Sequence, residues 1–262
     1  MQLVLIVLVS FLASVVGAIA GIGGGVIIKP VLDAFGVMDV AAISFLSGCT
    51  VLSMSAYNAA GSLLSGDRNL KKEIALPLGL GAAVGGVLGK NLFSYISSLF
   101  ENASRVGAVQ SACLTIITVL TFIYTLKPSV LPSLRVKSPV LSVLNGLALG
   151  VVSAFLGIGG GPINLMALSV LYSMSMKEAA QNSLMVIFLS QSASLISTLV
   201  TRSVPDFNIL MLILMALSGI FGGVVGRIFN KKLSGGHVRI IFLAAMLVII
   251  LLSIRNFFAY LG

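Results

Sequence analysis

Two copies of one glycine-rich interruption, Gly21-Ile22-Gly23-Gly24-Gly25 and Gly157-Ile158-Gly159-Gly160-Gly161, stand 136 residues apart in this chain of 262. Each follows a long apolar segment and precedes a short one. A helix does not run comfortably through three adjacent glycines, because each costs about 1 kcal/mol relative to alanine. In a bilayer, interrupted backbone is tolerated only where it is buried in protein or lines a wet cavity. Such breaks at matching places in two halves are the sequence signature of a solute-binding site between internal repeats. Composition fixes the solvent: 58% of residues are hydrophobic and 9% charged, against about 25% charged in a soluble domain. The expected class is all-α, a polytopic membrane helix bundle.

Cutting the apolar segments at polar or glycine-rich breaks gives matching sets. The first half yields 2–20, a short piece 26–36, then 40–64, 74–89 and 106–126. The second yields 140–156, a short piece 162–172, then 179–200, 207–226 and 238–261. Repeat 1 therefore covers residues 1–126 and repeat 2 residues 139–262. The cation- and proline-bearing stretch 127–138 is a cytoplasmic linker, and the two repeats form one transport domain. Gly85-Gly86-Val87-Leu88-Gly89-Lys90 pairs with Gly222-Gly223-Val224-Val225-Gly226-Arg227. Small residues four apart let backbones approach in lipid, so these ridges read as packing surfaces.

Eleven residues rise about 17 Å, roughly half of a 30 Å hydrocarbon core. The short pieces are therefore half-helices. If each turns back beside the helix before it, the halves are inverted. Arg68, Lys71, Lys72, Lys127, Arg135, Lys137, Lys177, Arg227, Lys231, Lys232 and Arg239 then share one side, against Lys90, Arg105, Arg202 and Arg255 on the other. Parallel halves would split the cations almost evenly. Cationic loops stay in the cytoplasm, which favours inversion and an N-terminus outside. Met1-Gln2-Leu3-Val4-Leu5 carries no cation before the apolar run, so a retained first helix is expected rather than a cleaved signal peptide. The net charge of +9 fits the same bias plus anionic lipid, and no nucleic-acid partner is expected. The expected location is the cell (inner or plasma) membrane.

Gly21-Ile-Gly-Gly-Gly-Val-Ile-Ile-Lys-Pro30-Val-Leu and its repeat Gly157-Ile-Gly-Gly-Gly-Pro162-Ile-Asn-Leu-Met-Ala-Leu resemble the TauE/SafE family of sulfite-exporter-like membrane proteins. The resemblance spans the chain: its length, its duplicated halves, the alanine-led Ser/Thr helix after each break, and the Gly-Gly-x-x-Gly-Lys/Arg step. It implies transport of a small, often sulfur-containing anion such as sulfite or a sulfonate. Two positions depart from the pattern. The second copy has Met166 where the first has Pro30, and Lys29 stands where such motifs are apolar.

The chemistry follows from the breaks. The first N–H groups of a helix lack intrahelical partners, and the macrodipole adds about half a positive charge there. Two glycine-rich N-termini near the midplane would cradle an anion without arginine. Gly23, Gly24, Gly25, Gly159, Gly160 and Gly161 are the expected backbone donors; the alternative is that they only permit close packing. Ser47, Thr50 and Asn58, with Asn182 and Gln191 in the other half, are the expected neutral binding groups, and Ser44 and Ser194 share those helices. Interhelical hydrogen bonding is the alternative for each. Lys29, an intramembrane cation, either completes the anion site or pairs with Asp33 at i+4. Asn164 is the near-equivalent polar group of the second repeat.

Cys49 reads as a small packing residue or as a substrate contact. No nucleophile–base motif or ligand cluster argues for an enzyme, and no cofactor or metal is expected. The expected partners are a small anionic solute and membrane lipid; self-association into a homo-oligomer stays open. The competing functions are an anion channel and a non-transporting assembly protein.

Overall fold

A computed structural model describes residues 2–36, 38–99, 103–127 and 134–261. The interior of the 127–138 linker, at 128–133, lies outside them. The described residues form ten helices: α1 (Gln2–Ala20), α2 (Gly25–Phe35), α3 (Val40–Leu64), α4 (Lys72–Leu99), α5 (Ala103–Leu126), α6 (Pro139–Leu156), α7 (Pro162–Tyr172), α8 (Met176–Val200), α9 (Ile209–Lys232) and α10 (Gly235–Leu261). Eight are long and apolar enough to cross a membrane. The remaining two, α2 and α7, are the 11-residue pieces that follow the glycine breaks. The protein is a multi-pass membrane helix bundle.

Both short helices fold back along their predecessors. Gly24 comes to rest against the Ser14 backbone of α1, and Leu32 of α2 packs in one cluster with Ile6 near the start of α1. In the second half, Tyr172 at the end of α7 donates its hydroxyl to Ser142 Oγ at the start of α6, 3.0 Å away. Each break is thus the tip of a hairpin inside the bundle.

Contacts between the halves fix the helix directions. In the α3–α8 pair, Gly48 lies beside Gln191 while Ser62 bonds Gln181, so the two run antiparallel. In the α5–α10 pair, Gly107 meets Tyr260 and Thr125 meets Arg239, again antiparallel. These are equivalent helices of the two halves. The partners α1–α9 and α4–α6 run parallel: Gly222 meets Phe11 and Ser14, and Gly226 meets Val15 and Ala18. Gly146 likewise meets Leu78, and Gly150 meets Ala82.

The glycine ridges carry this packing. Gly85 and Gly89 of α4 press on the Leu147 and Val151 backbone of α6, the close approach that small residues allow. Both ridges lie well inside their helices. The sequence reading ends the fourth segment at Gly89, whereas α4 continues to Leu99, because Lys90 and Asn91 neither break a helix nor cap one.

A test follows at Gly150, whose Cβ would lie 2.8 Å from the Ala82 Cα. Gly150→Val should force α4 and α6 apart and lower stability by about 2 kcal/mol. The readout is thermal unfolding in detergent. Gly235→Ala, where nothing lies within 4 Å, should leave the midpoint unchanged.

Candidate functional site

The two breaks meet at the centre of the antiparallel α3–α8 pair. Gly23 lies against Val51 of α3 and Ile187 of α8. A side chain on Gly25 would contact the carbonyl oxygen of Ile158, and Gly161 abuts Val26. All six glycines of the two triplets are buried. The second break requires glycine: Gly160 has φ +131°, and Gly161 adopts φ 63°, ψ −147°, a region essentially closed to other residues. No side chain caps the N-terminus of α2 or α7. Pro162 opens α7, at the position where its missing N–H has no intrahelical partner to lose.

A cavity of about 220 Å³ leads from one face to the second break. Its wall includes Ser44, Phe45, Gly48 and Cys49 of α3, Lys90 and Phe93 of α4, Gln110 of α5, Gly157, and Gln191, Ser194 and Thr198 of α8. Among the described residues no carboxylate lines it. Lys90 donates to Thr198 Oγ1 across the wall. The Gln191 side chain sits between Gly48 and Gly159, placing an amide at the floor. Ser44 Oγ is buried without a hydrogen-bond partner, beside Gly157.

Lys29 lies just beneath that floor, 4% exposed. Its ammonium donates to Gln110 Oε1 at 2.5 Å and to the Leu156 carbonyl at 3.0 Å. Gln110 Nε2 in turn donates to the Phe155 carbonyl at 2.6 Å. Lys29 and Gln110 together satisfy the last carbonyls of α6, where the helix dipole is negative. Asp33, four residues on from Lys29, is not a hydrogen-bond partner of its ammonium. A side-chain atom on Gly157 would lie 3.3 Å from Lys29 Nζ. An ammonium has three donors, and the bonds to Gln110 and Leu156 use two of them.

Of the residues expected from sequence, the structure brings Gln191 to the cavity wall and Lys29 beneath its floor. Asn164 packs against Gly160, and its buried Oδ1 has no partner. Ser47 bonds the Ser44 carbonyl. Thr50 bonds the Leu46 carbonyl and faces Gly219 of α9. Asn58 bonds the Met54 carbonyl. Asn182 ties the loop before α4 to α8, donating to the Asn69 carbonyl and accepting from the Lys71 amide. None of these four lines the cavity. The sequence reading did not single out Lys90, Gln110 or Gly157 as site residues. Lys90 carried a usable signal: it matches Arg227 at the end of the duplicated Gly-Gly-x-x-Gly step.

A second cavity, of about 410 Å³, opens between the ends of α5, α7 and α10. Its wall includes Tyr124, Met166, Ser169, Met174 and Arg239. Arg239 is occupied with the Thr125 and Leu126 carbonyls.

Lys29→Met should leave the Leu156 carbonyl and Gln110 Oε1 without their donor. The expected loss is about 2 kcal/mol, read as a lowered thermal midpoint; an unchanged midpoint would show that Lys29 does not hold the end of α6.

Comparison with known proteins agrees with this architecture. The profile of the family "Sulfite exporter TauE/SafE" matches residues 6–253. The chain is 26% identical over 250 residues to "Probable membrane transporter protein MJ0441" of Methanocaldococcus jannaschii, covering 90% of this chain and 89% of that one. It is 25% identical over 264 residues to "Probable membrane transporter protein YunE" of Bacillus subtilis, covering 89% of this chain and 90% of the other. No solved structure matches.

Proposed function

The chain belongs to the sulfite exporter TauE/SafE family of membrane transporters, and from that premise we propose that it is a secondary transporter of a small anion, a sulfur oxyanion or sulfonate. The observation that carries this reading is the charge of the cavity. Lys90 lines its wall, Lys29 lies beneath its floor, and among the described residues no Asp or Glu shares the lining. Field lines focus in such a low-dielectric cleft and raise the local anion concentration. Neutral groups, the Gln191 amide and the Ser44 and Ser194 hydroxyls, complete the site. Binding by a few neutral donors and two cations is reversible, as transport requires.

The path follows from the inverted helix directions. A solute entering the cavity descends to Gly157 and the Gln191 amide. The amide ends of α7 lie just beyond, at Gly159–Gly161, and those of α2 lie across Val51 and Ile187. The opposite side, packed shut along α3–α8 and holding Lys71, Lys177, Lys231 and Arg239, is the cytoplasmic one by the cation bias. The open cavity then faces outward. Rocking of one repeat against the other would expose the same midplane site to the cytoplasm.

Purified protein in liposomes should support saturable flux of sulfite, thiosulfate or a sulfonate, with counterflow. Flux without counterflow would make it a channel. Lys90→Met and Gln191→Leu should each lower flux at least about tenfold with folding intact, the cost of one charge-assisted contact. A thermal-shift screen across sulfite, thiosulfate, sulfate, sulfonates and small carboxylates reads binding directly, since ligand stabilises the folded state by mass action. No shift and no flux for any anion would sink the reading and favour an assembly role.

A further inference from the structure

We propose that the chain holds a second solute vestibule on the closed face, the inverted counterpart of the open cavity, and that Gln181 is the latch that seals it. This rests on the alternating-access reading above. Helices α3 and α8 begin and end 136 residues apart, so each cavity-lining position has a counterpart. Phe45 corresponds to Gln181, Cys49 to Met185, Ser194 to Asn58 and Thr198 to Ser62. In the ridge helices, Lys90 corresponds to Arg227 and Phe93 to Asn230.

The counterparts come together, but closed. Gln181, Met185, Asn58, Ser62, Arg227 and Asn230 are each at most 7% exposed. Gln181 accepts from Ser62 Oγ on α3 at 3.0 Å and donates to Asn230 Oδ1 on α9 at 3.2 Å. Asn230 donates to the Ile19 carbonyl of α1 at 2.6 Å. The Gln181 amide therefore ties α8 to α3 and α9, and the Asn230 amide carries the link on to α1. Arg227 folds onto the Asn58 carbonyl at 2.7 Å and Ser65 Oγ at 3.0 Å. Outside this network, the Lys71–Glu178 ion pair at 2.9 Å closes the rim.

Two features distinguish this from ordinary core. The seal includes a guanidinium, Arg227, inside a membrane bundle, where buried ionisable residues mark functional sites. Asn58 Oδ1 within it is buried with no partner, as a group awaiting a ligand or water would be. On the open face the position of Gln181 is held by Phe45 of α3, whose ring packs on Phe207 with ring centres 5.1 Å apart. The two neutral hydrogen bonds of Gln181 are cheap to break, since each contributes little net free energy in exchange for water.

Thiol accessibility tests the latch without reference to any substrate. Cys49 lines the open cavity and Met185 is its buried counterpart. Two reporters of the full chain are made in detergent: Cys113→Ser alone, leaving Cys49 as the sole thiol, and Cys49→Ser/Cys113→Ser/Met185→Cys. Each is combined with Gln181→Leu and with Ser62→Ala, and maleimide labelling rates are measured. With the latch intact, Cys49 should label fast and the Met185→Cys site slowly. Gln181→Leu should raise the rate at Met185→Cys roughly five- to tenfold without raising it at Cys49, the population shift expected from losing two hydrogen bonds. Ser62→Ala should give a smaller rise, and it carries the test if Gln181→Leu does not fold. Unchanged rates at Met185→Cys in both variants would overturn the proposal. So would equal rises at both thiols, which signify general loosening. Exchange of labelling with no anion flux would sink the transport reading and leave the vestibule standing.

Discussion

The structure depends on one constraint: broken helix ends inside a bilayer must find protein or water, because lipid offers neither donor nor acceptor. The chain meets it by pressing two breaks against each other at the centre of the α3–α8 pair. The C-terminal end of α6 obtains its donors from Lys29 and Gln110, the second of which comes from a helix forty-odd residues away. The carbonyl end of α6 is thus closed by side chains, while the amide ends of α2 and α7, buried at the centre, carry no side-chain cap.

The near-symmetry of the halves makes their differences informative. Both halves supply a ridge helix ending its glycine step in a cation, and both supply a 25-residue helix beside the break. On one face Lys90 borders a cavity. On the other, Arg227 is folded onto a carbonyl and buried among amides. Two copies of one layout therefore stand in two states within a single structure: along α3–α8 one end borders a cavity and the other is packed shut. That is the arrangement an alternating-access cycle needs at either extreme.

Several of the polar residues expected at the site make their hydrogen bonds to the protein. Asn58 and Asn182 were expected at a central site because they are polar on otherwise apolar helices. The structure places Asn58 beneath Arg227 and Asn182 at the loop before α4. A polar residue on a membrane helix has three outlets, its own helix carbonyls, a neighbouring helix or a solute, and spacing alone does not choose among them. Ser47 and Thr50 took the first.

The sequence alone determined the membrane class, the ten helical segments with their two short pieces, the pairing of the halves, and the family. These follow from local signals: hydrophobic length, glycine that no helix tolerates, and a repeated motif. It also pointed to Lys29 and Gln191, since a charge or amide within a bilayer needs a reason. Tertiary structure alone decided that Lys29 bonds the end of α6, that Gln110 joins it, and that Lys90 turns inward beside the cavity on a helix that outruns its apolar segment. It alone decided which face is open. Those outcomes depend on which helices meet and at what register, and the contacts that set register lie more than a hundred residues apart in the chain.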